Sequence, residues 1–181
     1  MLAGMSELQP RFHQDNADVL VFTFKEGLLS AVAHDLKIRV TRFSIAIDEE
    51  TRAIDATFDA ASLRVVHAMK DGAEAHGALS ASERQKIEEN IADDVLEPAR
   101  FPEIRFVSDP YPVALLRTGG DLRGILEMRG VRRRQVFAIA PAPADCAQPA
   151  HDCDLEAAGS VRRGDYGLDA WQVAVRDRVR F

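Results

Sequence analysis

The chain has 181 residues, 46% of them hydrophobic and 29% charged, with a formal net charge of −6 at neutral pH. A chain of this length buries about 70% of its unfolded surface in one core, so a single domain over residues 1–181 is expected without disulfide or metal staples. The composition excludes a disordered chain, no apolar run approaches the roughly 18 residues of a spanning helix, and the negative charge disfavours a nucleic-acid backbone. The N-terminal stretch MLAGMSELQPRFHQDNADV lacks a cationic start followed by an apolar core, which predicts a cytoplasmic protein whose residues 1–17 form a less ordered extension.

In chain order, VLVFTFK (Val19 to Lys25) is apolar at both parities and reads as a strand covered on both faces. DLKIRV puts Leu36, Ile38 and Val40 on one side, whereas RFSIAID puts Phe43, Ile45 and Ile47 on the opposite parity. That phase slip predicts a bulge or bend near Thr41–Arg42, as a strongly curved sheet requires. RAIDATFDA follows with Ile54, Ala56 and Phe58 on one face, then a short apolar segment from Ser62 to Val66. MKDGAEAHG (Met69 to Gly77) is polar and broken by glycine, so it reads as a surface loop.

Ser80 and Glu83 then form a capping-box pattern, and Ile87, Ile91 and Val95 give one narrow apolar stripe. Glu97–Pro98 ends that helix, since the residue before proline avoids the helical basin, and the spacing predicts a helix over 81–96. Beyond it, EIRFVS, YPVALLRT, DLRGILEMRG, VFAIA, LEAAGSV and WQVAVRDRVRF read as strands. RTGGD reads as a hairpin signal and Arg129–Arg134 as an Arg-rich turn. About eight short antiparallel strands and one helix predict a mainly β barrel or sandwich.

Chemistry-bearing residues are sparse. The serines lack a G-x-S-x-G setting and no Gly-rich loop runs from a strand into a helix, so no catalytic residue is assigned. Cys146, His151, Asp152 and Cys153 have types that zinc accepts, but their spacing fits no finger pattern, so no metal site is expected. Arg129 and Arg132–Arg134 read as a solvated turn, and Arg163 with Asp165 as an ion pair that fixes a turn.

FKEGLLSAVAHDL, FDAASLRVV, VLEPARFPEIRFVS, GILEMRGVRRRQVF and SVRRGDYGL, in this order, resemble successive blocks of the YceI-like family. Within them His34, Ala61–Ser62, Phe101, Pro102, Ile104, Phe106, Ser108 and Gly130 match family positions. Arg163, Asp165, Tyr166 and Gly167 match the family's Arg-Ser-Asp-Phe-Gly, with Gly164 in place of Ser. The resemblance implies a lipocalin-like antiparallel β-barrel that binds a polyisoprenoid lipid, with no cofactor beyond a bound isoprenoid or acyl lipid.

On that reading the protein is a non-enzymatic carrier of an elongated apolar ligand. Leu36, Ile38, Phe58, Phe106, Leu126, Ile139 and Trp171 line the interior, His34 meets a head group, and Ile87 and Ile91 of the helix close one mouth. The alternative is a structural or protein-interaction module with a filled core, forming a homodimer. A third reading is a hydrolase-like enzyme on a small apolar substrate with His34 as acid or base.

Overall fold

A computed structural model describes residues 10–24, 35–143, 155–168 and 179–180 of the chain. His34, Trp171, the Cys146–Cys153 stretch and the Arg163 side chain lie outside the described residues. The strands are β1 (Pro10–His13), β2 (Val19–Thr23), β3 (Asp35–Val40), β4 (Phe43–Asp48), β5 (Ala53–Asp59) and β6 (Leu63–Lys70). They continue as β7 (Ala73–Ala75), β8 (Glu103–Ser108), β9 (Gly120–Met128), β10 (Val131–Ile139), β11 (Ala157–Val161) and β12 (Val179–Arg180).

All described pairings are antiparallel, in the order β1-β4-β5-β8-β9-β10-β11-β12-β2-β3-β6-β7. The fold is barrel-like and mainly β, with two curled halves: β1, β4, β5, β8, β9 and β10 on one side, β2, β3, β6 and β7 on the other, joined through β11 and β12. Pro10–His13, inside the expected N-terminal extension, pair with β4.

The phase slip at Thr41–Arg42 is where the chain changes halves. β3 pairs with β2 and β6, whereas β4 pairs with β1 and β5, so these consecutive strands are not neighbours. Ser62 ties the corner: its hydroxyl is fully buried, accepts from the Arg42 N–H at 3.1 Å and donates to the Asp59 carbonyl at 2.8 Å.

The helix forms where the capping box requires it. α1 (Ala81–Asn90) starts at Ser80, whose Oγ accepts from the Glu83 N–H while Glu83 reaches back to the Ser80 N–H. It continues through a wider π-type turn, Ile91–Leu96, and stops at Glu97, which has φ +49 and donates its N–H to Ala92. The 16-residue helix bridges the halves, because Ile87 packs on the second cluster of buried side chains, Leu96 sits inside the first and Ile91 touches both. At the corner that follows, Phe101 lies under the Arg100 and Arg129 guanidiniums, 4.9 and 5.9 Å from its ring centroid.

Four sequence expectations are corrected. YPVALLRT is no strand: α2 (Leu115–Thr118) forms there, and the first cluster of buried side chains takes up both of the adjacent Leu115 and Leu116. RTGGD therefore makes no hairpin; β9 pairs with β8 and β10. MKDGAEAHG is not a loop, because Asp71 and Gly72, at φ +52 and +82, turn β6 into β7. The Arg-rich turn is confined to Arg129–Gly130, both at positive φ, and Arg132–Arg134 already belong to β10.

Candidate ligand-binding interior

Register fixes which side chains share the inner face. Ile45 lies opposite Ala56, Ala56 opposite Phe106, Phe106 opposite Leu126 and Leu126 opposite Arg133, a single row across β4, β5, β8, β9 and β10. A parallel row runs through Phe43, Phe58 and Ile104. Phe106 and Phe137 meet edge to face at 4.8 Å, and Gly159 opposite Phe137 leaves room for that ring.

Of the residues expected to line the interior, Phe106, Leu126 and Ile139 lie buried in the first cluster and Ile38 in the second. Leu126 and Ile38 are each only 2% exposed, so they are walls packed by neighbouring protein atoms and offer little surface to a guest. Leu36 is half-buried on the second cluster, and Phe58 is half-buried against both.

The two clusters meet along a seam. Ile45, Phe58, Leu63 and Ile91 pack against both clusters yet stay partly exposed. Ile45 and Leu63 were not expected as lining residues. Ile45 belonged to an alternating apolar set and Leu63 to a short apolar segment, but their adjacency depends on how β4, β5, β6 and the helix come together. Ile87 lies half-buried one helical turn before Ile91 and packs on the second cluster alone.

Polar groups near the interior are few. The Tyr166 hydroxyl is buried in the first cluster, with the residue 2% exposed, and finds no hydrogen-bond partner among the described residues. Burial pushes that phenol up from its ordinary range, the Asp165 charge adds to the rise, and the Arg133 guanidinium pulls the other way. Arg133 is exposed at the end of the inner-face row, whereas Arg132 and Arg134, on the outer face, pair with Glu127 and Asp109.

An open cleft of about 450 Å³ lies elsewhere, against the Thr41–Arg42 corner. Arg42, Ser44, Thr57, Asp59 and Glu103 line it together with the apolar Ala61, Pro98 and Pro102, and of the side chains in the two buried clusters only Phe43 reaches it. Among the described residues no helix is long and apolar enough to cross a membrane.

The fold is similar to several solved structures. A polyisoprenoid binding domain from Saccharophagus degradans aligns with TM-score 0.57 and 11% identity over 90% of this chain and 88% of that one. Burkholderia cenocepacia BcnA aligns with TM-score 0.57 and 16% identity, over 89% and 91% of the two chains. The Campylobacter jejuni YCEI protein aligns with TM-score 0.53 and 16% identity, over 96% and 93%. At these identities the likeness is one of fold. No protein with a curated description matches the chain in sequence. The sequence model of the YceI-like domain matches residues 13–181, nearly the whole chain and every strand of the sheet from β2 onward, and the chain belongs to the YceI-like family.

Proposed function

We propose that this protein binds an elongated apolar ligand of the isoprenoid type, without transforming it, along the seam between the two halves. The observation that carries this is the set Ile45, Phe58, Leu63 and Ile91, apolar side chains that both clusters touch and neither buries. A guest lying on them completes their burial, at about 0.8 kcal/mol per methylene, so a long chain needs no charged anchor to bind. The reading takes the two halves as walls of one lipocalin-like barrel, and the solved relative described as a polyisoprenoid binding domain supports it.

In this proposal the helix is the gate, with Ile87 and Ile91 on its inner side. The Tyr166 hydroxyl and the Arg133 guanidinium offer a donor and a positive charge to a polar end of the ligand, with His34 a further head-group contact. Leu36, Ile38, Phe106, Leu126, Ile139 and Trp171 remain the walls.

The test is native mass spectrometry of protein purified without detergent, followed by solvent extraction and lipid analysis of the same sample. A stoichiometric isoprenoid or acyl species is expected. A clean apo mass that stays unchanged when long-chain isoprenoid alcohols are offered overturns the proposal.

A further inference from the structure

On the outer face of the second half, away from the seam, three potential ligands converge. The hairpin register that sets Ala75 opposite Ala68 and Glu74 opposite Met69 brings His76 beside His67, with ring centroids 4.5 Å apart and the rings edge to face. Glu74, two residues before His76, projects from the same face of β7. Its Oε2 lies 3.6 Å from Nε2 of His67 and 3.6 Å from Nε2 of His76. One donor atom from each residue lies within 4.8 Å of the others.

We propose that His67, Glu74 and His76 form a binding site for a divalent first-row transition-metal ion, zinc foremost. Two imidazoles and one carboxylate are the donor set such ions accept, whereas two nitrogen donors make a poor cage for calcium or magnesium. Around a tetrahedral zinc with bonds of about 2.1 Å, neighbouring donor atoms stand roughly 3.4 Å apart. The two oxygen-to-nitrogen separations are already close to this, and the remaining closure falls to His76, whose side chain is 72% exposed.

The carboxylate is held for the task. Lys37, opposite His67 on β3, donates to Oε1 of Glu74 at 2.6 Å and leaves Oε2 turned toward the two imidazoles. That bond is the largest cause holding the Glu74 carboxyl below its ordinary range, with burial acting against it. Metal-ligating carboxylates are ordinarily hydrogen-bonded in this way by an outer partner. Lys37 also brings a positive charge that weakens cation binding, while Asp35, level with Met69 and Glu74, brings a negative one to the same face. With His76 exposed, the remaining coordination positions face solvent, so the ion would hold water or a small anion there.

The experiment is calorimetric titration of untagged, metal-stripped full-length protein with zinc, repeated with cobalt and read by visible absorption. One ion per chain is expected, with affinity falling about tenfold or more in Glu74→Gln and in His76→Ala. His76 is exposed, so its replacement leaves the fold unaffected, and far-ultraviolet circular dichroism checks this. A triple variant, Cys146→Ser with His151→Ala and Cys153→Ser, should bind as the parent does. Absence of saturable binding, binding that survives both His67→Ala and His76→Ala, or binding abolished in the triple variant overturns the proposal. None of these readouts depends on lipid content, so the site stands or falls apart from the seam.

Discussion

Gly124 is the position where β8 and β9 approach too closely for any side chain. A Cβ there would stand 2.3 Å from the Val107 carbonyl oxygen and 2.7 Å from both the Phe106 ring and the Ser108 Cα. Two of those three atoms are backbone of a central strand, which cannot move aside cheaply. Gly124→Ala is expected to destabilise the protein by about 2–3 kcal/mol, read as a lower urea midpoint. In sequence Gly124 was only a glycine inside a strand pattern, and the close approach it permits became visible with the β8–β9 register. Ser62 illustrates the same limit. It stood out in the family block, yet its work of joining Arg42 to Asp59 at the corner between the halves needs three segments in place at once.

Among the elements, the helix was the most legible, because its signals are local: a cap, a stripe and a proline stop. Ser80→Ala removes the oxygen that accepts from the Glu83 N–H and should cost about 1 kcal/mol, measured by chemical denaturation. The turn between β5 and β6 carries an acid-sensitive contact. The Arg42 guanidinium, hydrogen-bonded at 2.8 Å, holds the Asp59 carboxyl below its ordinary range, burial opposes this, and the Ala61 N–H adds to it. A depressed carboxyl contributes stability above its unfolded pKa of about 3.9, and that contribution is lost as pH falls through the lower folded value. The urea midpoint should therefore hold from neutral pH down to about 4 and then drop, with Asp59→Asn flattening that drop. YPVALLRT and MKDGAEAHG were misread for one physical reason. Each is short, and its state is set by partners elsewhere: α2 by the first cluster that buries Leu115 and Leu116, β7 by the free edge of β6.

For the whole molecule, a ligand bound to the folded state alone raises its stability by about 2.7 kcal/mol at a hundredfold excess over Kd. Long-chain isoprenoid alcohols should therefore raise the melting temperature of the parent protein. Ile91→Ser on the seam should diminish that shift, whereas Val136→Ser, on the exposed outer face of β10, should leave it unchanged. Equal shifts in all three proteins would count against the seam. The mainly β class, the helix and the corner at Thr41–Arg42 were legible in the chain alone, because alternation, caps and turn residues act through sterics within a few residues, and the ordered blocks carried the family resemblance. Long-range pairing sets β3 and β4 in different halves, brings Ile45 and Leu63 to Phe58 and Ile91 along one seam, and turns His67, Glu74 and His76 toward one another. Those outcomes rest on which strands pair and in what register, a competition between distant segments that no local pattern encodes.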